Sequence, residues 1–252
     1  MCHNIDKQSP EAATTKWTRI SLVLVLLALC VILLVAARHM QAEDTTEHPL
    51  IRPNAIKSET CLTCHPDKKE GRFVHSAVAM GCENCHQTSL ENGKTTITLV
   101  AMGGELCAMC HQAKKDPVLH VPYQGGQCLI CHQPHASNFP GQVRAETNLL
   151  CLSCHGVNQP DVKVNHETRT VSLLGGRTLT LDDYHQAVKI GLDRSGTKGH
   201  PIPGHPISGG DLHNKDAALN CLSCHVPHNS ALPGLMPADV NDDFELCARC
   251  HK

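Results

Sequence analysis

Residues 125–138 read GGQCLICHQPHASN. Cys128 and Cys131 are separated by two residues, and His132 follows the second cysteine directly. Another histidine, His135, comes three residues later and follows a proline. Two thiols and an imidazole this close together predict a site that holds a metal or a metal-bearing cofactor.

The same five-residue unit, C-x-x-C-H, occurs seven times. Fourteen of the sixteen cysteines belong to these units, which leaves only Cys2 and Cys30 outside them. The units occupy residues 61–65, 82–86, 107–111, 128–132, 151–155, 221–225 and 247–251. A disulfide framework would not place its cysteines in one local pattern, so the sequence argues against one.

C-x-x-C-H is the attachment sequence of c-type haem, in which two thiols bond the porphyrin and the histidine ligates the iron. We therefore expect seven covalently bound haem c groups. The predicted attachment cysteines are Cys61, Cys64, Cys82, Cys85, Cys107, Cys110, Cys128, Cys131, Cys151, Cys154, Cys221, Cys224, Cys247 and Cys250. The predicted iron ligands within the units are His65, His86, His111, His132, His155, His225 and His251.

Zinc is the main alternative to haem. Seventeen residues separate Cys64 from Cys82, and seventeen separate Cys110 from Cys128, which fits a zinc ribbon built from two C-x-x-C pairs. A zinc ribbon does not require a histidine after each pair, whereas all seven pairs here have one. A thioredoxin-like site predicts a single pair beside a βαβ pattern. The histidines therefore favour haem.

The composition also favours a cofactor-filled interior. The chain of 252 residues has three Phe, two Tyr and one Trp, too few large apolar side chains for an ordinary core. Porphyrins would supply that core, so we expect a haem-organised fold with little regular secondary structure and short helices near the units. Residues 171–181 alternate around Gly175 and Gly176 and predict a β-hairpin, whereas residues 199–210 predict a loop. The sequence has no basic stripe with interleaved aromatic residues, so we do not expect nucleic acid as a partner.

Four segments are predicted along the chain: a cytoplasmic tail at 1–19, a transmembrane anchor at 20–37, a linker at 38–60 and a heptahaem domain at 61–252. The anchor, ISLVLVLLALCVILLVAA, is long enough to span a bilayer core and exceeds the apolar region of a typical cleaved signal. Cleavage after Val35-x-Ala37 is the alternative. Because haem c is attached on the outer side of the energy-transducing membrane, we expect a single-pass inner-membrane protein with its haem domain in the periplasm.

Twelve histidines lie outside the units, and six of them occur in recurring contexts. Two precede a unit, two follow a unit as Pro-His, and two share the sequence Gly-His-Pro-Ile. We predict that these six are the sixth iron ligands: His75, His120, His135, His228, His200 and His205. The histidines left between a ligand role and a solvated one are His48, His166, His185 and His213.

Methionine is the alternative sixth ligand, but we expect Met80, Met102 and Met109 to pack instead. His132 already takes one face of its own haem, and His135 starts on that same side. We therefore predict that His135 ligates a neighbouring haem, and that His228 does the same after His225.

The run CAMCHQAKKDPVLHVPYQGGQCLICHQPHASNFPG at 107–141, followed by LLCLSCH at 149–155, resembles the doubled C-x-x-C-H motif of multihaem cytochromes c. GHPISGG, CLSCHVPHNS and LCARCH repeat its second half. The resemblance, to a class III-like group, implies bis-histidine, low-potential haems in a close-packed row that carries electrons. The first pair departs from the pattern, because QTS rather than Pro-His follows His86. His48 or a histidine of residues 166–213 is therefore expected to complete one of the first haems.

We expect an electron carrier that takes electrons from a quinone-linked membrane subunit and passes them to periplasmic cytochromes or outer-membrane acceptors, with no catalytic residue of its own. A nitrite or sulfite reductase is one alternative, but it needs a five-coordinate haem. A quinol dehydrogenase of the tetrahaem type is another, although its first haem lies close to the bilayer and here twenty-three residues separate Ala37 from Cys61. A filament-forming cytochrome would have to lose the span.

Overall fold

The computed structural model of the chain describes residues 48–51, 57–112, 116–192, 198–210 and 218–251. The chain divides into two compact units, Met1–Pro49 and Leu50–Lys252. The predicted tail and the predicted anchor at 20–37 lie outside the described residues. Within the ranges given above, no helix has the length and apolar character needed to cross a membrane.

The C-x-x-C-H units alternate between two local structures. The first, third, fifth and seventh units begin within short α-helices, namely α1 (Ser58–Cys64), α3 (Gly103–Ala108), α5 (Thr147–His155) and α7 (Asp243–Ala248). The second, fourth and sixth units begin 3-10 helices at Cys82–Asn84, Cys128–Ile130 and Cys221–Ser223. The predicted short helices near the units are thus confirmed.

Both local structures form one turn of backbone around the unit. The amide of His132 donates to the carbonyl of Cys128 at 3.0 Å, and the amide of His111 donates to the carbonyl of Cys107 at 2.9 Å. This turn brings the two thiols and the imidazole of a unit close together. Acidic residues cap two of the α-helices: Glu146 accepts from the amide of Leu149 in α5, and Asp242 accepts from that of Glu245 in α7.

Three further helices connect the units to the remaining segments. They are α2 (Ser76–Met80), α4 (Val121–Gln124) and α6 (Leu181–Gln186). Both α2 and α4 begin directly after a histidine, His75 and His120 respectively, and lead into the next 3-10 unit. Three more 3-10 turns lie at Pro66–Lys69, Pro140–Gln142 and Pro233–Leu235.

Two pairs of very short strands join distant parts of the chain. Strand β1 (Phe73–Val74) pairs antiparallel with β5 (Ala136–Ser137). Strand β4 (Val118–Leu119) pairs antiparallel with β11 (Asn229–Ser230). The first pair places His75 beside His135, and the second places His120 beside His228.

The longest hairpin joins the second unit to the third. It consists of β2 (His86–Glu91) and β3 (Lys94–Leu99), with Asn92 and Gly93 in the turn at φ values of 52° and 76°. Asn-Gly with two positive φ angles is the usual type I′ hairpin turn. This hairpin was not predicted from the sequence.

The predicted hairpin at 171–181 is present, with Gly175 and Gly176 at positive φ. Strands β7 (Thr170–Ser172) and β8 (Thr178–Thr180) form it, and β6 (Lys163–Asn165) adds a third antiparallel strand. The apolar core lies here and contains Ile130, Val171, Leu173, Leu179 and Leu181. Cys131 of the fourth unit and Cys154 of the fifth pack against this core.

Residues 199–210 form mainly turns, as predicted, except that β9 (Gly209–Gly210) pairs with β10 (Ala218–Leu219).

Residues 128–143 and 221–236 repeat one structure. The amide of Gln133 donates to the carbonyl of Gln142, and that of Val226 donates to Leu235, both at 2.7 Å. The Pro-Gly turns that follow have almost identical glycine φ angles, 67° and 68°.

Candidate functional site

The histidines of the second to seventh units each lie opposite a histidine from outside the units. The ring centres of the six pairs are 5.7–6.1 Å apart. The pairs are His111 with His75, His86 with His135, His155 with His120, His132 with His228, His225 with His200, and His251 with His205. The six histidines predicted as sixth ligands therefore each face a unit histidine.

The spacing of the rings fits a shared metal atom. Two imidazoles that bind one metal from opposite sides hold their ring centres roughly 6 Å apart, because each metal–nitrogen bond is about 2 Å and each nitrogen lies about 1 Å from its ring centre. The ring planes are within 28° of parallel in four pairs, and are 42° and 68° apart in the pairs of His228 and His205. Two imidazoles on opposite faces are the donor set that a six-coordinate haem iron takes.

Backbone carbonyls orient several of these imidazoles. Nδ1 of His132 and Nδ1 of His225 each lie 2.8 Å from a glycine carbonyl, at Gly141 and Gly234. The corresponding carbonyls are Pro134 for His75 at 3.0 Å, Val188 for His155 at 2.9 Å and Pro206 for His205 at 2.9 Å. A carbonyl only accepts, so Nδ1 carries the proton and Nε2 keeps its lone pair for a metal.

The outer histidines of the pairs are themselves joined by backbone hydrogen bonds. The amide of His75 donates to the carbonyl of His135 at 2.8 Å, that of His120 donates to His228 at 3.0 Å, and that of His200 donates to His205 at 3.2 Å. We call each of these bonded pairs a histidine clamp. The ring partners of one clamp always belong to two consecutive units: the second and third, the fourth and fifth, or the sixth and seventh.

Burial favours the neutral form of several histidines in these pairs. It lowers the pKa of His86, and also that of the outer histidines, which are His120, His135, His200 and His228. Desolvation disfavours a charged imidazolium. Only the neutral ring has the lone pair that binds a metal, so burial keeps these side chains ready as ligands.

The cysteines of successive units also lie close together. Burial and the neighbouring Cys82 thiol raise the pKa of Cys61. A hydrogen bond with Cys221, followed by burial, raises the pKa of Cys151. Burial and the Cys128 thiol likewise raise the pKa of Cys107. The first cysteines of units one and two, three and four, and five and six are therefore neighbours.

Other contacts join the remaining consecutive units. The amide of Val100, at the end of the hairpin before the third unit, donates to the carbonyl of Cys85 at 3.0 Å. Burial, together with the nearby Cys154 thiol, raises the pKa of Cys131 to about 11. Burial and then the thiols of Cys250 and Cys247 raise the pKa of Cys224. Units that follow one another in sequence are thus neighbours in space.

His65 is the histidine of the first unit, and the prediction that His48 or a histidine of residues 166–213 completes one of the first haems stays a prediction. His185 lies beside Tyr184, with ring centres 6.1 Å apart, and His213 lies outside the described residues. In the part of the chain that the structure describes, no group of three or more His, Cys, Asp or Glu side chains forms a cluster that could hold a metal ion.

Three segments of the chain match the family model described as the doubled CXXCH motif, at residues 75–116, 120–159 and 213–252. The chain is a multihaem c-type cytochrome of the doubled CXXCH group. The motif indicates covalently bound haem c and a role in electron transfer. No curated protein matches this cytochrome.

The three matched segments contain units two and three, four and five, and six and seven, while the first unit precedes them. Each histidine clamp of the cytochrome therefore lies opposite both units of one doubled motif. The sequence analysis named the histidines of the clamps but missed their backbone pairing. One signal was present: two apolar residues precede both His75 and His120, and short polar or small residues follow both His135 and His228.

Proposed function

We propose that this chain is a membrane-anchored, periplasmic heptahaem cytochrome that relays electrons from a quinone-linked inner-membrane partner to periplasmic or outer-membrane acceptors. The observation that carries the proposal is the set of six histidine pairs with ring centres 5.7–6.1 Å apart. Each pair supplies two axial imidazoles, one from a unit and one from a clamp.

In this proposal the two cysteines of each unit would bond the porphyrin, and the histidine of the unit would supply one imidazole to the iron. The clamp histidines would supply the second imidazole to the second to seventh haems. When bound, haem iron supplies one-electron redox chemistry between its ferric and ferrous states. The chain positions the imidazoles, keeps them neutral by burial and surrounds the middle units with protein.

Two imidazoles per iron leave no coordination position for a substrate, which supports electron transfer over reduction of nitrite or sulfite. The contacts between consecutive units support a row of haems in sequence order. Such a row would begin at the first unit, which is nearest in sequence to the predicted anchor, and end at the seventh. Direct quinol oxidation would need a quinol site beside the first haem, and we propose that a membrane partner supplies it.

The proposal is tested by purifying the full-length cytochrome from washed membranes and measuring haem by the pyridine haemochrome assay and intact mass together. We expect seven covalent haems on a polypeptide that retains its N-terminus. Retained zinc with free thiols would contradict haem attachment. A haem protein recovered in the soluble fraction that begins near Arg38 would contradict the anchor.

A further inference from the structure

One position recurs at the contacts between successive units. It lies three residues before the first cysteine of each odd-numbered unit. In the first unit this residue is Ser58, whose Oγ accepts from the amide of Cys82 at 3.0 Å. In the fifth unit it is Asn148, whose Oδ1 accepts from the amide of Cys221 at 2.8 Å. Both side chains accept a hydrogen bond from the first cysteine of the next unit, which begins a 3-10 helix.

The helix of the third unit also packs against the next unit at this position, but with backbone atoms instead of a side chain. Its equivalent residue is Gly104, and a Cβ placed there would lie 2.7 Å from Cα of Gly126. Gly126 belongs to the turn directly before Cys128, so α3 packs backbone to backbone against the approach to the fourth unit. In all three helices, therefore, the residue at this position contacts the next unit or the turn directly before it.

The seventh unit has Phe244 at this position, in helix α7. Its side chain is 85% exposed, whereas Asn148 is 9% exposed and buried under the sixth unit. Cys247, the first cysteine of the seventh unit, is also exposed, whereas Cys61, Cys107 and Cys151 are partly buried. A large aromatic side chain at the position that contacts the next unit is suited to the core of an interface, where aromatic residues are enriched.

We propose that the face of α7 bearing Phe244 and Cys247 is the docking surface for a second c-type cytochrome, which accepts or supplies electrons at the seventh haem. This inference rests on the proposed electron-carrier function. The occupant follows from the three internal contacts, because the same helix face receives a haem-bearing C-x-x-C-H unit each time. Here the next unit comes from another protein.

The charges around this face indicate that the partner carries basic residues around its contact surface. Residues 239–245 include four acidic side chains, Asp239, Asp242, Asp243 and Glu245. Arg249 forms an ion pair with Asp239 at 2.5 Å and is the one basic residue of α7 and its C-terminal neighbour. An apolar centre with an acidic rim is complementary to a cytochrome whose exposed haem edge is surrounded by lysines.

The test is the affinity of the holoprotein for a soluble monohaem cytochrome c with a lysine-ringed haem edge. Both proteins are kept oxidised, so that isothermal titration calorimetry reports binding alone. Phe244→Ser should raise Kd about tenfold, the effect of removing one aromatic anchor from an interface. Asp243→Lys should raise Kd at low ionic strength, and this rise should shrink with added salt.

The matched control is Val164→Ala, because Val164 is 41% exposed and lies away from α7 in sequence. Its Kd should equal that of the wild type. An unchanged Kd for Phe244→Ser, or absence of wild-type binding, would overturn the docking surface. A dimer that becomes monomeric in Phe244→Ser would also overturn it, in favour of a second copy. Failure of the proposed function would show separately, as missing haem or as no oxidation of the reduced protein by a small inorganic oxidant.

Discussion

At the residue scale, the clamp histidines lie opposite units that are distant in sequence. His135 follows the fourth unit by three residues, yet its ring faces His86 of the second unit. His228 follows the sixth unit and faces His132 of the fourth. A histidine so close to its own unit cannot reach the opposite face of the same haem, so it is available to a neighbour. One short Pro-His segment thereby ties two cofactor sites together.

Replacing His135 by Ala should leave all haems attached, because the attaching thiols are untouched, but should convert one haem from low-spin to high-spin. That haem is the one at the second unit, whose iron loses its outer imidazole. Electron paramagnetic resonance of the oxidised variant, with haem content from the pyridine haemochrome assay, measures both effects.

Glu167→Ala is the control, since Glu167 is exposed and is not one of the candidate iron ligands. It should leave the spin states as in the wild type. An entirely low-spin His135→Ala protein would show that His135 is not an iron ligand.

At this scale the sequence predicted much of the site. The seven units and the six outer histidines follow from local patterns, because each lies in a short recurring context. The partner of each outer histidine could not be predicted, since the partners are set by contacts between segments up to about a hundred residues apart. The carbonyls that orient Nδ1, such as those of Gly141 and Gly234, could not be predicted either, because every residue has a backbone carbonyl.

At the scale of the elements, pairs of two-residue strands place the histidines of two clamps next to each other. Strand pairs β1 with β5 and β4 with β11 are too short to show a periodic pattern in sequence. They were therefore missed. The hairpin of β2 and β3 has a recognised sequence signal, its Asn92-Gly93 turn, and could have been predicted.

Gly104→Ala should destabilise the protein by about 1–3 kcal/mol, because the added Cβ would overlap the backbone of Gly126 and push α3 away from the fourth unit. Denaturant unfolding followed by circular dichroism measures the change. Gly210→Ala is the control, since a Cβ there meets nothing within 4 Å. Its stability should stay within about 0.5 kcal/mol of the wild type. Equal stability of the two variants would contradict the close packing of α3.

At the scale of the whole molecule, the doubled motifs are interlocked. The second segment supplies His135 to the first, and the third supplies His228 to the second. The third segment faces His200 and His205, which precede it. The first two motif pairs thus depend on a later part of the chain and the third on an earlier part, and this interlocking holds the row together with few aromatic residues and a small apolar core.

The central claim is that the six histidine pairs are axial ligand pairs of six haems. Quantitative electron paramagnetic resonance of the oxidised, fully loaded wild-type cytochrome tests it most directly. We predict low-spin signals from at least six of the seven haems, because two imidazoles give a strong ligand field at each paired iron. High-spin intensity equivalent to two or more haems would contradict the claim.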